Sequence, residues 1–173
     1  MGKIIAGTIV AVALMAGFAM YYLQVYAYYD DVLPSGPDDV MLTSLETGMA
    51  EPLAHGAFQA IDSTSSPIRY RACFMTDVPL DTLKETYTTF AHPEPLVAPG
   101  WFNCFDAKAI GKALEDGEAV AFMGTENLKY GIDRVVAVFP DGRGYAWHQI
   151  NACGEVVFDG KPVPEGCPPK PER

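Results

Sequence analysis

Two arginines, Arg69 and Arg71, follow a hydroxyl-rich loop, Ser63-Thr64-Ser65-Ser66. On an extended chain, residues two apart point the same way, so both guanidiniums would stand on one face. Forked guanidinium hydrogen bonds beside hydroxyls suit a carboxylate or a phosphate. Ser63, Ser65, Ser66, Arg69 and Arg71 are therefore the chain's candidates for binding a small anion. The competing reading is a row of exposed ion pairs, natural where 22 acidic side chains face 12 basic ones and the net charge is −10.

The three histidines, His55, His92 and His148, are isolated in sequence. None has metal-site spacing. His148, beside Trp147, is the one candidate for proton transfer near neutral pH; a hydrogen-bonded strand histidine is the plainer reading. No nucleophile elbow, P-loop or dinucleotide fingerprint is present. No catalytic residue, metal ligand or cofactor follows from these motifs. The acidic balance disfavours nucleic acid, which leaves proteins and the membrane as expected partners.

Four cysteines, Cys73, Cys104, Cys153 and Cys167, lack any C-x₂₋₄-C pair, so zinc, haem and dithiol redox roles lack their spacing. An even count reads as two disulfides if the segment faces an oxidising compartment. Asp159-Gly160 is a turn signal between Cys153 and Cys167 that favours pairing them; Cys73 with Cys104 follows by elimination. The aromatic loop around Trp101 and Phe102 has three readings: cover for a disulfide and a helix end, a protein-contact patch, or a segment dipping into a membrane surface. Trp101, Phe102 and Trp147 are the candidate interface residues.

The elements that would position these groups begin with an apolar run. Ile4–Leu23 carries no charge and follows Lys3; at about 1.5 Å per residue it spans roughly 30 Å, the thickness of a bilayer core. Tyrosines 21, 22, 26, 28 and 29 fall where an interfacial belt would sit. The expectation is an uncleaved signal-anchor over residues 1–29 with its amino terminus in the cytoplasm and everything from Asp30 on outside it. A cleaved leader is the alternative, on the pattern Val25-Tyr26-Ala27. Residues 30–52, acidic and broken by Pro34-Ser35-Gly36-Pro37, read as a linker with a short ordered piece at Val40–Leu45.

Residues 53–167 read as one domain. Strands are expected at Ala57–Ile61 and Ile68–Phe74, the latter half-buried by its alternation. A helix from Asp77-Val78-Pro79 carries an apolar face of Leu80, Leu83, Tyr87 and Phe90 until His92-Pro93. A second is capped by Asp106 and ended by Gly117. Strands follow at Ala119–Met123, Ile132–Phe139, Tyr145–Ile150 and Glu155–Phe158, with a hairpin loop at Pro140–Gly144. Residues 168–173 read as a loose tail. The expected class is α+β: a transmembrane helix, then a small, mainly antiparallel sheet with two helices on one face.

The segments FQAID…SSPIRYRACF, APGWFNCFDAKAI and YGIDRVVAVFPDGRGYAWHQINACGEVVFDGKP resemble a small family of single-anchor proteins from Rhodobacter-type alphaproteobacteria. That resemblance carries no activity to transfer. It implies a Gram-negative cell, so that "outside" means the periplasm. Some relatives carry a histidine-kinase label, which no Gly-rich nucleotide box in this sequence supports. The functional expectation is a non-enzymatic accessory protein of the inner membrane, anchored there and contacting a membrane or envelope complex. The alternative is a periplasmic domain that binds or senses a small anion or carboxylate.

Overall fold

The computed structural model describes residues 2–159 and 161–169. Gly2–Tyr22 forms helix α1, which continues as one π-helical turn, Leu23–Ala27. This helix is long and apolar enough to cross a membrane, and its most apolar stretch is buried against nothing in the protein.

The domain that follows is α+β. A six-stranded antiparallel sheet is built from β1 (Asp30–Val32), β4 (Gly56–Asp62), β5 (Arg71–Met75), β6 (Val120–Lys129), β7 (Ile132–Val138) and β8 (Arg143–Ile150), in the order β1-β4-β5-β8-β7-β6. A separate ribbon pairs β2 (Met41–Thr43) with β3 (Ala50–Pro52). Three helices complete it: α2 (Leu80–Thr86), α3 (Ala107–Glu115) and α4 (Ala152–Asp159).

Both faces of the sheet are covered. On β7, Val136 and Val138 join one core layer while Val135 and Ala137 join the other; on β8, Ala146 and Trp147 divide the same way. The first layer gathers Val40, Leu42, Leu53, Tyr70, Phe74, Leu83 and Phe122. The second gathers Ile61, Cys73, Phe102, Phe105, Ile110, Tyr145 and Trp147. The two helices expected on one face are thus split, α2 with Leu83 on the first layer and α3 with Ile110 on the second. The alternation in β5 sorts side chains between two interiors, so Arg71 through Phe74 are all buried rather than half-buried. Strands buried on both faces lose the in-and-out signature that a one-sided sheet would show.

The segment 30–52 is part of this domain rather than a linker. Asp30 pairs with Asp62, Asp31 with Ile61 and Val32 with Ala60, and Val40, Leu42 and Leu53 are fully buried. Gly36, at φ +142°, opens a 3₁₀ turn, Pro37–Asp39, whose Asp39 carboxylate accepts from the Ser35 amide and hydroxyl and the Gly36 amide. The acidic, proline-rich composition that suggests a linker here builds a tight turn. Below Ala60, β4 is bulged between Gly56 and Gln59, with Ala57 at φ +49°.

Helix α2 ends at Thr86, six residues before the expected stop at His92. Tyr87 is extended, and the following stretch bridges the ribbon to the sheet: Thr88 N–H donates to Thr43, Met123 N–H to Thr88, and Phe90 N–H to Ala121. Thr86, Thr88 and Thr89 are β-branched and favour the extended form once backbone partners exist. Asp106 caps α3, accepting from Lys108 and Ala109 amides. The expected last strand at Glu155–Phe158 is instead α4, because Asn151 Oδ1 accepts from the Cys153 and Gly154 amides and starts a helix there. Gly142, at φ +86°, closes the β7–β8 turn so near Thr76 that a Cβ would strike its carbonyl. Of the tail, residues 170–173 lie outside the described residues, as does Gly160 of the Asp159-Gly160 turn.

Candidate functional site

The two arginines that open the sequence argument part company. Arg71 lies within β5 and is 4% exposed. Its Nε donates to Leu96 O at 2.7 Å, Nη1 to Ile68 O at 2.8 Å and Tyr70 O at 2.6 Å, and Nη2 to Val97 O at 3.2 Å. Four of its five donors hold backbone carbonyls, and Phe105 packs beneath the guanidinium at 5.8 Å. Burial pulls its pKa down to about 10. Arg71 pins the 96–97 segment to the sheet and has almost nothing left for a ligand. Arg69, before the strand begins, is half-buried, with its guanidinium 5.4 Å from the Tyr29 ring.

The serines close on themselves. Ser63 Oγ and Ser65 Oγ share a hydrogen bond at 2.8 Å, Ser65 N–H donates to Ser63 Oγ, and Ser63 N–H donates to Asp62. Among the described residues, no hydrogen bond joins the hydroxyl of Ser63, Ser65 or Ser66 to the guanidinium of Arg69 or Arg71. Two open grooves lie away from this loop, one of about 800 Å³ between the 91–95 segment and α3, the other of about 660 Å³ along Pro34–Asp39 and Pro52–Phe58.

His148 is 3% exposed. Its Nδ1–H donates to Pro67 O at 2.7 Å, which leaves Nε2 as the acceptor for Arg134 Nε at 3.1 Å and Nη2 at 3.0 Å. Tyr70 stacks on the imidazole at 4.7 Å between centroids, and Arg134 also lies 4.1 Å from that tyrosine ring. Burial first, and the Arg134 charge second, hold the His148 pKa down to about 4. Burial likewise raises the Tyr70 pKa. This is a neutral, fully engaged imidazole at a cross-strand pair, Arg134 opposite His148. The sequence pointed to His148, and to Arg134 only as a further arginine of anion-site or ion-pair type, but not to their pairing; the signal was available, since a hairpin closed at Val138 and Gly144 fixes every pair above it.

Among the three interface candidates, Trp147 is 0% exposed and Phe102 is buried, both in the second core layer. Trp101 alone reaches outward, and it reaches for the end of the N-terminal helix. Its indole Nε1–H donates to Val25 O at 2.6 Å, and its ring meets Tyr26 at 6.3 Å and Tyr29 at 6.1 Å. Val25 lies in the π-helical turn, near the end of a helix whose last carbonyls lack intrahelical donors. Cys104, three residues on, is bonded to Cys73 of β5 across a Cα–Cα distance of 6.3 Å. Cys153 is bonded to Cys167 at 5.7 Å. Among the described residues, no three His, Cys, Asp or Glu side chains converge as metal ligands do.

Residues 40–168 match the model of a family of unknown function, DUF6446. The chain belongs to that family. The match begins at Val40, the first fully buried apolar side chain of the domain, so the matched region includes the ribbon and every strand of the sheet except β1. No curated protein and no solved structure matches the chain.

Proposed function

We propose that this protein is a single-pass inner-membrane protein whose domain stands in the periplasm and works by contact with other proteins of the membrane or envelope. Lys3 on the short amino-terminal side supports that orientation by the positive-inside rule, and two disulfides in 173 residues suit an oxidising compartment. The observation that carries the reading is where the reactive groups are spent. His148 and Arg71, the groups best suited to chemistry or to anions, use their nitrogens to hold the sheet and its covering loops.

The test is purification of the full-length tagged chain from native membranes in mild detergent. A partner retained in fixed stoichiometry, and lost on removing the domain while the anchor is kept, is the expected result. A chain that migrates alone, or one that turns over a substrate, would overturn the proposal. Binding of a small anion at Arg69 is the second reading, favoured by a guanidinium with no carboxylate partner among the described residues. A thermal shift with carboxylates that vanishes in Arg69→Ala would support it.

A further inference from the structure

Trp101 is fixed to the chain at a known distance from the hydrocarbon. Its indole donates to Val25 O at 2.6 Å, and Val25 is two residues past Leu23, where the apolar run ends. At about 1.5 Å per residue, the bonded carbonyl is roughly 3 Å along the helix axis from that end. If α1 crosses a bilayer, the indole therefore lies at the boundary between acyl chains and headgroups. That is the depth that tryptophan and tyrosine favour, with an apolar ring on one side and a polar N–H or O–H on the other.

The neighbours fit the same depth. Tyr22, Tyr26 and Trp101 form a run of stacked rings, with Tyr29 set edge-on against the indole. Val97, four residues before Trp101 on the same loop, is 80% exposed. Arg69 stands over Tyr29 with no carboxylate partner among the described residues, in a chain with 22 acidic side chains. The sheet register places this corner at the anchor's end of the domain: Asp30, the first residue of β1, is opposite Asp62, and Ile61 is opposite Arg71.

We propose that the loop from Val97 to Trp101, together with Tyr26, Tyr29 and Arg69, is a seat on the lipid surface. Trp101 and the tyrosines lie among the glycerol groups, Val97 reaches the upper acyl chains, and the Arg69 guanidinium takes a headgroup phosphate. The domain is then held upright on the bilayer by Trp101 and by Cys73–Cys104, which ties the loop to β5. This inference rests on the membrane-anchored reading above and goes beyond it, because an anchored domain could equally stand clear of the lipid.

The experiment uses the full-length chain in phosphatidylcholine vesicles with bromines placed near the headgroup end or near the tail end of the acyl chains. Insertion is scored separately by flotation after alkaline carbonate. The chain has two tryptophans, one at the seat and one sealed in the core, so shallow bromines should quench roughly half of the emission and deep bromines little. Trp101→Phe should abolish the quenching while near-ultraviolet dichroism shows the domain intact. Arg69→Gln should lower it about twofold as the corner lifts. An inserted chain whose emission shallow bromines leave unchanged, or one equally quenched in Trp101→Phe, overturns the seat and leaves the anchor standing; the patch would then belong to a protein partner. A chain that fails to float overturns both.

Discussion

Two straps close this domain, each with one disulfide and one polar cluster. Residues 92–105 cross the second face of the sheet. There Gln149 bonds His92 O and the Glu94 amide, Arg71 bonds Leu96 O and Val97 O, and Cys104 is joined to a central strand. Residues 151–167 follow directly on the end of β8. There Asp133 accepts from the Asn127 amide and the Asn151 side chain, Asn151 caps α4, and Cys153 is joined to Cys167. The first strap lies over buried apolar residues: its own Phe102 and Phe105 sink into one layer with Ile61, Cys73, Tyr145 and Trp147. Residues 161–167 of the second strap are almost wholly exposed. Similar bonding on unlike ground teaches that a staple stabilises in proportion to what it holds in place.

The sharpest break of this comparison is Arg71→Met. It leaves four carbonyls without their donor in the first strap and should cost about 4 kcal/mol, read from urea unfolding by near-ultraviolet dichroism. Arg69→Met, its twin in sequence, should cost about 0.5 kcal/mol, the scale of a half-exposed cation–π contact. Equal losses would mean that Arg71 is not the fastening of the strap.

Replacing Cys73 and Cys104 by alanine releases a loop of sequence separation 31, for which chain entropy gives about 3.7 kcal/mol. The same arithmetic for Cys153 and Cys167, separation 14, gives about 3 kcal/mol. We expect the first figure to be realised and the second not: less than about 1 kcal/mol for Cys153→Ala with Cys167→Ala. Without the bond, the exposed second strap would be loose in the folded protein as well as the unfolded one, so little entropy difference remains for the bond to remove. Paired melting curves of the two double variants decide this, and a matching drop would show that α4 and its tail carry more of the core than their exposure suggests.

Between the straps lies the smaller effect of pH. His148 has its pKa lowered from 6.5 to about 4 in the fold, so the unfolded chain binds a proton that the folded one refuses. Stability should be fully present above pH 6.5 and fall as pH drops towards 4, by about 2 kcal/mol between pH 7 and pH 5. His148→Gln should flatten that slope in urea titrations at the two pH values.

Much of the domain is readable in the sequence where one element answers to one period. Asp106 and Gly117 bracket α3, and Pro140–Gly144 marks its hairpin. The reading weakens where a residue type serves a tertiary purpose. Tyr87 and Phe90 sit at helical spacing from Leu83 yet are extended, because backbone groups on β2 and β6 compete for Thr88 and Phe90. Arg69 and Arg71 share a strand parity, but only one lies where loop carbonyls converge, and those carbonyls come from residues 68, 70, 96 and 97. Trp101 was visible as an aromatic in a loop; its partner, a main-chain oxygen 76 residues earlier, leaves no trace in side-chain pattern.

The short strand that follows α1 leaves most of its neighbour's edge to other devices. β1 covers β4 only from Ala60 to Asp62, and the uncovered remainder of β4 is distorted by the bulge and the left-handed Ala57. On the opposite flank, the Thr88–Phe90 stretch bonds β6 from Ala121 to Met123. Short, bulged or partly covered edges of this kind are poor templates for a strand from another molecule. A protein that docked on these stretches would recognise side chains and shape rather than add a strand of its own.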